Sequence, residues 1–150
     1  MKKVILLIVF ALTSNALFSQ IEIKKNETPI LIGRIAPMGS FMASLEKYSD
    51  HYTLTFNDAK YTTITNLKSF IFSIEDFEAV SSIFTKEDST AKKGDSYTVK
   101  LPLDGGSLYI QYDSMLGKIY PSIAYTDTAG IVGIFPYFTN KQYLKLFGKK

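Results

Sequence analysis

The sequence contains no cysteine and no tryptophan, a single histidine at position 51 and a single arginine at position 34. Without cysteine there is no disulfide framework, no thiol nucleophile, no Cys-ligated zinc or iron–sulfur centre and no lipid-modified N-terminal cysteine. One imidazole excludes a metal site of two or three histidines, so neither a metal nor a cofactor is expected. One arginine provides no array of bidentate forks for reading phosphates. No G-x-x-x-x-G-K-[ST] loop occurs, which leaves Asp127-Thr128-Ala129-Gly130 with no phosphate cradle to serve and reads it as a hairpin turn.

What is present begins with a leader. Lys2-Lys3 form a basic start, Val4 to Leu12 an unbroken apolar run, and Thr13 to Ser19 a stretch of mostly small residues before Gln20. Nine apolar residues are about half of the roughly 20 that a helix needs to cross a bilayer, so the order of blocks predicts a secretory signal over 1–19, cleaved near Ser19/Gln20. Export to the periplasm, the cell surface or the medium is the expectation, with no membrane span after processing. Lys2 and Lys3 leave with the leader, so the 17 basic residues fall to 15 against 14 acidic ones and the mature chain is close to neutral. A nucleic-acid partner is correspondingly disfavoured.

Residues 20–150 must then fold around an apolar core without cross-links, and alternation of apolar and polar residues supplies one. Tyr52-Leu54-Phe56, Tyr97-Val99-Leu101-Leu103 and Leu108-Ile110-Tyr112 each alternate with period two. This predicts strands near 29–35, 41–47, 51–57 and 68–72, with a further short piece at 61–65. It also predicts 96–103 paired with 106–113 across Asp104-Gly105, and 119–125 paired with 131–137. Pro121 and Pro136 each lack a donor, so their strands are edges there or end there.

Two helices begin alike. Phe72-Ser73-Ile74-Glu75-Asp76-Phe77 and Phe138-Thr139-Asn140-Lys141-Gln142-Tyr143 each place a hydroxyl at the cap, a partner three residues on and aromatics at the flanking positions. Ile74, Phe77, Val80 and Phe84 form the stripe of the first; Tyr143, Leu146 and Phe147 that of the second, which stops at Gly148. The fold class is α+β: antiparallel sheets with two helices, in the order ββββα twice. Either the order records an internal duplication, with halves 20–88 and 89–150, or two unrelated helices share a common start.

The chemical inventory is thin. Ser49-Asp50-His51 adjoin in sequence, but adjacency in an extended segment does not make a triad. Ser44-Leu45-Glu46-Lys47 has S-x-x-K spacing on a strand pattern, which places Ser44 and Lys47 on opposite faces, and the companion motifs of such enzymes are missing. No catalytic residue is assigned. The outward positions Tyr109, Gln111 and Tyr120 are the candidate ligand contacts, because tyrosine joins apolar area to a polar tip. The favoured function is a non-catalytic module that binds an envelope protein or a small ligand. The alternatives are a small hydrolase with paired carboxylates among Asp50, Asp58, Asp104 and Asp113, and a single-strand nucleic-acid binder.

Leu17-Phe18-Ser19-Gln20, Tyr52 to Tyr61, Lys68 to Phe72 and Phe138 to Lys149 together resemble a family of small exported proteins of Bacteroidota. The resemblance implies export and one compact domain, and it carries no activity or catalytic residue. Asp88-Ser89-Thr90, Asp113-Ser114-Met115 and Asp127-Thr128-Ala129 resemble the short sequon for O-glycosylation of exported proteins in that phylum, which would make Ser89, Ser114 and Thr128 acceptors. Turn chemistry alone also accounts for an aspartate followed by a hydroxyl. By topology only, the ββββα order resembles the PUR-type nucleic-acid-binding fold.

Overall fold

A computed structural model describes residues 27–85, 91–115 and 117–149. The leader over 1–19 and Ser89 lie outside the described residues.

The alternating runs become two four-stranded antiparallel sheets. The first contains β1 (Ile30–Ile35), β2 (Ala43–Lys47), β3 (His51–Asn57) and β4 (Leu67–Ser73) in that spatial order. After it comes α1 (Phe77–Thr85). The second sheet contains β5 (Ser96–Lys100), β6 (Ser107–Met115), β7 (Lys118–Thr126) and β8 (Val132–Ile134), followed by α2 (Asn140–Leu146). The α+β class and the ββββα order, twice, are thus present. Among the described residues no helix is long and apolar enough to cross a membrane.

Period-two patterning decides which face is covered. In β3, Tyr52, Leu54 and Phe56 are buried while the residues between them are half-exposed. They pair across to Phe72, Phe70 and Lys68 of β4. In the second sheet Leu108 and Ile110 of β6 lie opposite Tyr125 and Ile123 of β7, all four buried. One aromatic core joins the halves: Phe56 stacks on Phe135 at 3.8 Å, Phe70 meets Tyr125 at 5.3 Å, and Phe84 of α1 touches Phe135, Tyr143 and Phe147.

Helix α2 packs over β1 of the first sheet, so the last element of the chain covers the first strand. Gly33 permits this. A Cβ there would strike the carbonyl oxygens of Lys145 and Leu146, so the approach of β1 to α2 requires a residue without a side chain. The helix begins with the predicted box: Thr139 Oγ1 accepts the Gln142 amide at 3.3 Å and Gln142 Oε1 accepts the Thr139 amide at 2.9 Å. At its end Gly148 takes φ +65°, and the Lys149 and Gly148 amides reach the Leu144 and Lys145 carbonyls, a Schellman closure.

Four expectations need adjustment. Segment 61–65 is not a strand, because Asn57 Oδ1 takes the Asn66 amide and the Asn66 carbonyl takes the Asp58 amide, closing a loop instead. The hairpin between β5 and β6 exists, yet β5 stops at Lys100 rather than 103: Leu101 and Gly106 close a wider loop, and the Asp104 side chain turns inward. The first helix starts at Phe77, leaving Ile74 36% exposed in the preceding turn, although Ser73 Oγ does accept the Asp76 amide at 3.1 Å. The last strand covers only 132–134 of the expected 131–137.

Candidate binding cleft

The brevity of β8 creates the concavity. It pairs with β7 from Ala124↔Ile134 to Thr126↔Val132, with one further bond from the Phe135 amide to the Ile123 carbonyl. The next ladder bonds on this side would be exchanged with Pro121, which has no amide to donate, and the chain turns away. Residues 118–122 of β7 are left without a strand on that side among the described residues. Pro121 fits this place. It lies opposite Tyr112, whose amide and carbonyl bond Asp95 and Gly94 on the β5 side, so the backbone of Pro121 faces the open side and its missing donor breaks no ladder bond.

The gap is a cleft of about 200 Å³. One wall is β7, from Tyr120 to Ile123; the other is Phe135-Pro136-Tyr137; Tyr143 of α2 and Asp113 of β6 complete it. The Tyr120 and Tyr137 rings stand at 86° with centroids 5.2 Å apart. Tyr143 is 5% exposed and packs edge-on to Phe138 at 5.4 Å. Its burial pushes the phenol pKa up, outweighing the Phe138 backbone hydrogen bond that pulls it down. Loss of solvent and the neighbouring Tyr120 hydroxyl likewise raise Tyr137 above its ordinary value of 10.0. These two phenols are therefore neutral at physiological pH, and Asp113 is the one acidic side chain among the described residues of the lining.

Of the three candidate contacts, only Tyr120 belongs to the cleft. Tyr109 and Gln111 share its outward face of the sheet, where Tyr109 Oη donates a long 3.5 Å bond to Gln111 Oε1. Tyr137 and Tyr143 enter the cleft without having been singled out as contacts. The sequence signal for them was Pro121, whose nitrogen faces the open side and has no hydrogen to offer a continuing strand. Ser114 is exposed near the end of β6, opposite Ile119, and Thr128 is exposed in the β7–β8 turn.

Asp50, Asp58 and Asp104 are each engaged in contacts of their own. Asp58 is 1% exposed, and its Oδ1 accepts the Lys60 and Ile134 amides, each at 3.0 Å. Asp104 accepts from Ile71, Gly106 and Tyr125. Asp50 lies 2.6 Å from His51 Nδ1, and that imidazole stacks on Tyr48. Ser49 Oγ donates to Glu27 Oε2 rather than to His51, so the adjoining Ser, Asp and His form no relay. Among the described residues no group of three His, Cys, Asp or Glu is placed to hold a metal ion.

Compared with protein-family models, curated proteins and solved structures, the chain matches none.

Proposed function

We propose that this chain is an exported, non-catalytic binding module whose ligand, a small molecule or a group presented by an envelope protein, enters the cleft beside Tyr120. The observation that carries the reading is the cleft itself: among the described residues, three tyrosines and two prolines line about 200 Å³, with one carboxylate and no histidine, lysine or cysteine. Among the described residues of the lining Ser122 is the only aliphatic hydroxyl, with no imidazole or amine beside it to activate it. Apolar walls with a few convergent polar tips are what ligand sites are made of, and this volume falls below the roughly 300 Å³ at which drug-sized sites begin. A compact ligand fits it.

The test is a fragment screen on the mature chain, followed by amide chemical shifts, with a parallel turnover panel of esters, glycosides and peptides. Fragments should shift residues 118–123 and 135–137, Tyr120→Ala should abolish those shifts, and the panel should stay untouched. Turnover that disappears on replacing one acid would overturn the reading. Export is tested separately. The chain recovered from the cell envelope should begin at Gln20, and recovery of the intact chain from the cytosol would contradict this.

A second reading, single-strand nucleic-acid binding, draws on the ββββα order seen twice. The outward face of the second sheet carries Lys100 and Lys118 against Asp113, a weak field for tracking a phosphate backbone. Absence of retention on an oligonucleotide column at low salt would discard it.

A further inference from the structure

We infer that the cleft beside Tyr120 selects a small organic cation, of the quaternary or alkylammonium class. This rests on the cleft being the binding site and adds the chemistry of what enters. Tyr120 and Tyr137 meet edge to face at 86°, which makes a corner between two aromatic walls. Aromatic faces carry negative quadrupole density, and a cation over a ring face that the other ring leaves open is attracted to it. Asp113 stands on the strand position opposite Tyr120 and lines the same cleft. It makes no hydrogen bond or ion pair among the described residues, so its charge is free to face a ligand.

The alternatives fit less well. An anion would meet the Asp113 carboxylate and the electron-rich ring faces, with no basic side chain among the described residues of the lining to offset them. A wholly apolar ligand would displace water from that carboxylate and from the phenol hydroxyls without giving them partners. A strongly hydrated metal ion would find a single carboxylate where such ions require several oxygen ligands. A bulky, weakly hydrated cation satisfies the walls and the acid together. A volume of about 200 Å³ admits a compact cation of this class.

The experiment titrates the mature chain by amide and tyrosine-ring NMR with choline and, separately, with 3,3-dimethylbutan-1-ol, its uncharged isostere. The expected result is saturable shifts at Tyr120, Ser122 and Tyr137 with choline, and binding of the isostere weaker by at least about tenfold. Tyr137→Leu and Asp113→Asn, both at exposed positions and so expected to fold normally, should each weaken choline several-fold, and added salt should weaken it further. Equal binding of the two isosteres in the cleft would overturn the cation inference and leave the module reading standing. Absence of choline shifts would also overturn it, with the fragment screen then deciding the module reading alone. Equal choline affinity of Asp113→Asn and the wild type would remove the acid from the site and contradict the inference as stated.

Discussion

The hydroxyl of Tyr125 donates to Asp104 Oδ2 at 2.6 Å, while Oδ1 of the same carboxylate accepts the Ile71 amide at 3.1 Å. One side chain from the β5–β6 loop therefore ties the free edge of β4 to β7, across the boundary between the two sheets. Asp58 does the converse, reaching from the end of β3 to the Ile134 amide on β8. Asp104→Ala would strand two such donors and the Gly106 amide. At roughly 1–3 kcal/mol for each buried unpaired group, and with Asp104 half-buried, a loss of about 2–4 kcal/mol is expected. It should appear as a lower urea midpoint at unchanged slope, and an unchanged midpoint would contradict the tie.

The same contact sets an alkaline limit. Burial, then the hydrogen bond and charge of Asp104, raise the Tyr125 phenol above its ordinary value of 10.0. The unfolded chain loses this proton near pH 10, whereas the folded chain keeps it. The contribution to stability is thus complete below pH 10 and shrinks as pH rises toward the folded-state value. Tyr143 adds a slope of the same sign. Urea midpoints measured between pH 8 and 11 should fall above pH 10 in the wild type and fall less steeply in Tyr125→Phe.

Gly33→Ala tests the seat of α2. The new methyl would meet backbone carbonyls of Lys145 and Leu146, which cannot rotate aside as a side-chain tip does. Either β1 shifts or the helix lifts, at about 1–3 kcal/mol or more. Faster amide exchange in 140–149, with β3 and β6 still protected, is the expected signature.

Asp58 separates acceptor from charge. Its Oδ1 serves two amides, but Oδ2 is buried without a hydrogen-bond partner among the described residues. Asp58→Asn keeps the acceptor and puts an equally unpartnered NH2 where Oδ2 stood, exchanging one buried unpaired group for another, so stability should stay within about 1 kcal/mol of wild type. Asp58→Ala leaves the Lys60 and Ile134 amides bare and should cost about 2–4 kcal/mol. Thermal unfolding of the pair decides it, and an alanine variant as stable as wild type would show that the joint at β8 does not depend on this side chain.

Much of the architecture was legible because it is local. Alternation in Tyr52-Leu54-Phe56 fixes a buried face whatever the partner strand, and Thr139 with Gln142 closes its own helix start. Asp104 was misjudged for a complementary reason. Asp-Gly favours a two-residue turn, but three donors from Ile71, Gly106 and Tyr125 compete for the carboxylate, and two of them come from distant strands that no local pattern reveals. The cleft was half legible. Pro121 announced an interrupted ladder, whereas the placing of Tyr137 against Tyr120 depends on where the chain goes after leaving it.

The most direct measurement of the central claim is a crystal of the mature chain soaked with a diverse set of small fragments. Density should collect in the cleft against Tyr120 and Tyr137 and beside Asp113, with cationic fragments the best ordered. Fragments gathered instead over Tyr109 and Gln111 on the open sheet, with the cleft holding only water, would contradict the account.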